Sequence, residues 1–88
     1  MNLFDLEYTL ISRKLYNRKV TPARKASGLK VRMRRYEIGI TQEELTEKAD
    51  LHPTYVGSVE RGERNITLEN IIALAKALDC SPKELMPD

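Results

Sequence analysis

Apolar positions recur along this chain at helical spacing, and no segment shows the period-two alternation of a half-buried strand. Leu3, Leu6, Leu10, Ile11 and Leu15 form one stripe over residues 2–16, with Asn2 placed to cap it. Residues 17–27 hold few large apolar side chains. Within them, Thr21-Pro22 reads either as part of a linker or as the N-cap and first position of a helix that runs on. Over 28–38, Val31 and Ile38 share a face, and Gly39 marks a helix end. Thr41-Gln42-Glu43-Glu44 has the form of a capping box and opens a helix with Leu45 and Ala49 on its apolar side. After Asp50-Leu51-His52, Pro53 suits the first position of a third helix that runs to about Arg61 and stops at Gly62. A polar loop follows at 63–66. Thr67 then caps a fourth helix carrying Leu68, Ile71, Ile72, Ala75 and Leu78, and Ser81-Pro82-Lys83-Glu84 opens a short fifth with Leu85 and Met86. The pattern predicts an all-α fold.

Composition narrows the classes of function. Eighty-eight residues make one small domain with a modest core. A single cysteine, Cys80, excludes an internal disulfide and a zinc site built from several cysteines, and fits a reducing cytoplasm. No apolar run is long enough for a membrane span, and Asp5, Glu7, Arg13 and Lys14 interrupt any signal-peptide pattern. One His and one Cys on different elements give no nucleophile–base pair or metal cluster, and no glycine loop cradles phosphate. The expectation is therefore a non-enzyme without metal or cofactor. Charge is uneven: residues 1–40 carry ten basic and three acidic groups, residues 41–88 five basic and ten acidic. A basic end suits DNA or an anionic membrane surface, and equally a solvated surface of uneven charge.

The two central segments, 41–49 and 53–61, are three residues apart, the spacing of a helix-turn-helix. In such a unit the second helix can lie in the DNA major groove. On a helical wheel with Val56 and Val59 inward, Thr54, Ser58 and Arg61 point outward as an acid-free row, and Glu60 falls near the buried side. Gly57 inside this helix either lets the backbone approach DNA or relieves crowding against another helix.

Residues 28–86 resemble the lambda-repressor-like, or Xre-type, helix-turn-helix family. The resemblance runs through Gly28, Val31-Arg32, Arg35, Gly39, Thr41-Gln42-Glu43-Glu44-Leu45, Ala49, Tyr55-Val56, Val59-Glu60-Arg61-Gly62, Arg64-Asn65, the Thr67–Leu78 segment and Leu85. The stretch from Thr54 to Asn65 looks most like the controller proteins of restriction–modification systems. The resemblance implies a compact five-helix domain over 28–88 that binds a pseudo-palindromic operator as a homodimer and regulates transcription, with RNA polymerase a candidate partner. It places His52, Pro53, Thr54, Gly57 and Ser58 toward the bases, and Gln42, Tyr55, Arg61, Arg64 and Asn65 on the DNA backbone. It pairs Arg35 with Glu60 in a buried salt bridge between the first and third helices. It also puts the dimer surface on the fourth and fifth helices, with Leu78, Cys80, Leu85 and Met86.

This chain departs from the family at several positions. Asp50 stands where glycine is common, His52 is a weak N-cap, and Pro53 offers DNA only apolar contact. Arg34 replaces what is often an apolar residue; its stem is expected to cover the core. The family does not cover residues 1–27, a basic extension with six basic and two acidic groups, expected to be helical at 2–16 and to add attraction to DNA. An antitoxin or other protein-interaction module built on the same fold is the alternative to a regulator.

Overall fold

The computed structural model describes residues 20–88, so the helix expected at 2–16 lies outside the described residues. Four α-helices follow in order: α1 (Pro22–Glu37), α2 (Gln42–Ala49), α3 (Tyr55–Glu60) and α4 (Leu68–Ala77). The expected fifth helix is a single 3-10 turn, Pro82–Leu85. No strand occurs among the described residues.

Thr21 and Pro22 settle the first open alternative. The Thr21 side chain accepts a hydrogen bond from the Arg24 N–H at 3.2 Å, and Pro22 opens α1. The helix therefore begins six residues before Gly28, and the boundary expected at 27/28 falls inside it. Apolar spacing missed this turn because Ala23, Arg24, Lys25 and Ala26 offer no large side chain to the core.

Local chemistry ends every helix in one way. Gly39, Asp50, Gly62 and Asp79 all take positive φ, between 53° and 76°. The N–H of each bonds three residues back, and the next N–H reaches five residues back, as in Ile40 to Arg35 and Glu63 to Ser58. This is the Schellman arrangement, with aspartate replacing glycine at two of the four ends. The Thr41 capping box is formed in both directions, with Glu44 returning to the Thr41 N–H at 3.2 Å.

The core comprises Val31, Leu45, Ala49, Val56, Val59, Ile71, Leu74, Ala75, Leu78 and Leu85. Burial of each Val, Leu or Ile contributes about 1.5–3 kcal/mol. At Gly28 two helices come into close contact. A Cβ there would sit 2.2 Å from the Val59 carbonyl oxygen and 3.0 Å from that of Glu60, so any other residue would force α1 off the C-terminal end of α3. Gly62 makes the second tight point: its φ is 76°, and a Cβ would lie 2.8 Å from the Lys25 Cα.

Arg34 acts through its charged end. Its guanidinium donates to the Leu78 and Asp79 carbonyls, both at 3.0 Å, and pairs with Glu37 at 3.1 Å. It thus closes the carbonyl end of α4, where a cation also meets the negative end of the helix dipole.

Candidate nucleic-acid interface

The third helix is short, and tertiary contacts set its pose. Val56 and Val59 are fully buried beneath it. Behind them, Glu60 is 4% exposed and receives Arg35 through two bonds, Nε to Oε2 at 2.7 Å and Nη2 to Oε1 at 2.9 Å. The two residues expected to tie the first helix to the third therefore meet. Sequence reasoning missed that the same carboxylate also accepts from Arg32 Nε at 3.2 Å and from Gln42 Nε2 at 3.1 Å. One buried acid thus joins α1, α2 and α3. Burial alone would push the Glu60 carboxyl up. The bonds from Arg35, Gln42 and Arg32, and the Arg35 charge, outweigh it and hold the carboxyl below the usual glutamate range.

The helix head differs from expectation. Regular α geometry starts at Tyr55, and Pro53-Thr54 form a turn ahead of it. His52 nevertheless serves this end: its carbonyl accepts from the Tyr55 N–H at 2.9 Å, and its Nδ1 lies 3.4 Å from the Thr54 N–H and 3.1 Å from the Thr54 hydroxyl. His52, Pro53 and Thr54 are all exposed, forming the outward tip of the domain on this side. Glu43 and Glu47 of α2 border Pro53 across a small depression that Thr46 also lines, so acids flank the tip on the α2 side.

Ser58 of the outward row, and Gly57 among the residues that the resemblance placed toward the bases, are both buried. Ser58 is 5% exposed; its hydroxyl donates to the Tyr55 carbonyl at 2.7 Å and accepts from Arg64 Nε at 3.0 Å. It is covered and not open to solvent. The wheel placed it in the outward row because a wheel contains one helix only, and the loop after α3 folds Arg64 back over that position. Gly57 is also buried; a Cβ there would be 3.2 Å from Arg61 Nη1 and 3.3 Å from Gln42 Oε1. The crowding it relieves comes from two side chains, one of them on α2.

The remaining candidates flank the tip. Gln42, Arg61, Arg64 and Asn65 are exposed and Tyr55 is half-buried, with the Arg64 guanidinium carbon 5.9 Å from the centre of its ring. Arg61 bonds Glu63 at 2.6 Å, a surface pair of small energetic weight in water. Among the described residues no group of three or more His, Cys, Asp and Glu side chains is arranged to hold a metal ion. No described helix is long and apolar enough to cross a membrane.

The profile of a helix-turn-helix family matches residues 31–85, more than half of the chain. The chain is a member of that helix-turn-helix family. Its relatives include the control protein C.BamHI of Bacillus amyloliquefaciens, 45% identical over 60 residues that cover 67% of this chain and 74% of that protein. The control protein C.SmaI of Serratia marcescens is 55% identical over 47 residues, 53% of this chain. The chain thus spans 56% of the length of C.SmaI. Among solved structures, the restriction–modification controller protein C.AhdI from Aeromonas hydrophila superposes with a TM-score of 0.70 at 44% identity, covering 72% of this chain and 96% of that one. The P22 c2 repressor in complex with a synthetic operator gives a TM-score of 0.64 at 35% identity, covering 68% and 91%. In this helix-turn-helix protein, α2 and α3 are the two helices of the motif, and Glu60 links them through Gln42.

Proposed function

We propose that this chain is a sequence-specific, double-stranded DNA-binding transcriptional regulator of the controller-protein kind, acting in the cytoplasm as a homodimer and carrying no catalysis. The observation that carries this reading is the outward tip His52-Pro53-Thr54 at the head of α3, flanked by exposed Gln42, Arg61, Arg64 and Asn65 and held from behind by the Arg35–Glu60 pair. The tip enters the major groove with His52 and Thr54 as hydrogen-bonding groups and Pro53 as an apolar contact. Gln42, Tyr55, Arg61, Arg64 and Asn65 meet phosphates on either side, which positions the helix without reading sequence. With few direct readers, DNA shape supplies part of the specificity.

The dimer surface expected at Leu78, Cys80, Leu85 and Met86 needs revision. Leu78 and Leu85 are 0% and 1% exposed and belong to the core of their own chain. Leu68 and Ile72, one turn apart on α4, are 71% and 48% exposed, and with Met86 they are the apolar groups that α4 and the following turn offer a second copy. RNA polymerase enters this reading as the machine whose access or recruitment the bound dimer changes.

Selection of bound duplexes from a random-sequence pool tests the proposal. It should return a two-fold-related site, and log affinity for that site should fall linearly and steeply with log salt. Failure to enrich any sequence would overturn the reading.

A further inference from the structure

Ser58 lies beneath Arg64 and is left without the base-reading role expected of it, yet its hydroxyl is engaged as both donor and acceptor. It donates to the Tyr55 carbonyl at 2.7 Å, and that fixes the direction of its lone pairs; one of them accepts from Arg64 Nε at 3.0 Å. Arg64 comes from the loop between α3 and α4, where no helix restrains a long side chain. Two contacts nevertheless hold it on α3: the Ser58 hydroxyl, and the ring of Tyr55 at 5.9 Å. With Nε engaged, the two Nη groups at the exposed end stay free of Ser58 and can donate to a phosphate.

We infer that Ser58 is a positioning residue for Arg64, setting the affinity of this protein for any duplex while reading no base. The inference rests on the proposed contact of Arg64 with the DNA backbone. A guanidinium already oriented on the protein loses less freedom when it meets a phosphate. A contact to phosphate carries no sequence information, so the contribution of Ser58 is the same on every duplex.

A double-mutant cycle tests it, with Ser58→Ala, Arg64→Ala and the pair measured against a mixed-sequence duplex and the duplex enriched by selection. Thermal unfolding is followed in parallel, so that binding is compared on folded protein. Ser58→Ala should weaken binding about three- to tenfold, by the same factor on both duplexes, as expected for one hydrogen bond to a charged group that acts at second hand. In the Arg64→Ala background, the same Ser58 change should have no further effect. A loss confined to the enriched duplex would overturn the inference, because Ser58 would then read bases. Equal loss with and without Arg64 would overturn it as well, because Ser58 would act independently. If Arg64→Ala alone left both affinities unchanged, the phosphate role of Arg64 would itself be wrong, and the inference would fall with it.

Discussion

The back and the front of α3 are built on opposite physical terms. Behind the helix, Gly28 lets two backbones touch, and Glu60 collects four bonds from Arg35, Arg32 and Gln42 in a site where its side chain is wholly shielded from solvent. In front, His52, Pro53 and Thr54 are exposed, and the Thr54 side chain makes no capping bond. Changes at the back alter whether the domain holds together. Under the proposed function, changes at the front alter what it binds. A helix of six residues has fewer than two turns and little stability of its own, so the whole fixity of the front is borrowed from the back.

The largest break in this contrast should come from Arg35→Ala. Glu60 would keep Arg32 and Gln42 but lose its two bonds from Arg35, so the domain should be destabilised by about 2–4 kcal/mol, read from denaturant unfolding. A loss below about 1 kcal/mol would show that the network is dispensable. The same network has a pH signature. The folded pKa of Glu60 is depressed, so its stabilisation is complete above the unfolded glutamate value of about 4.3 and disappears as pH falls through the lower folded value. The melting temperature of the native protein should therefore fall in acid, and that of an Arg35→Met, Glu60→Leu variant should fall less.

Gly28→Ala ranks next. Overpacking against main-chain atoms should cost about 1–3 kcal/mol or more, since carbonyl oxygens cannot turn aside as a side chain can. Thermal melting checks it, and an unchanged midpoint would contradict the close approach of α1 to α3. Thr54→Ala probes the front. It should move stability by no more than about 0.5 kcal/mol, while discrimination between the selected site and mixed-sequence DNA drops by about 1–3 kcal/mol. A substantial fall in stability would mean that Thr54 belongs to the scaffold. The smallest effect concerns Thr46, whose buried hydroxyl has no hydrogen-bond partner. Thr46→Val should stabilise the protein by about 1 kcal/mol without changing DNA affinity.

Much of the scaffold was legible in local chemistry. The capping boxes at Thr41 and Ser81, the helix stops at Gly39 and Gly62, and the left-handed Asp50 all depend on residues within a turn of one another. Asp79 was not foreseen, because aspartate after an apolar stripe resembles ordinary surface. The inward side of α3 was readable from Val56 and Val59, and with it the place of Glu60. Of the outward row, Thr54 and Arg61 are exposed as expected, and only Ser58 is not, because Arg64, six residues on, folds over it. Arg34 escaped notice as a helix cap because the carbonyls it closes lie 44 and 45 residues away.

Sequence alone determined which segments of the domain are helical, where most of them stop, and much of the core, though Leu68 and Ile72 of the fourth-helix stripe are exposed. Each of these follows from spacing and from groups that meet within a few residues. Only the tertiary structure decided how closely α1 crosses α3 at Gly28, which side chains gather on Glu60, and that Arg64 covers Ser58. Those are contacts between residues distant in the chain, and no local periodicity encodes which of them the packed helices bring within reach.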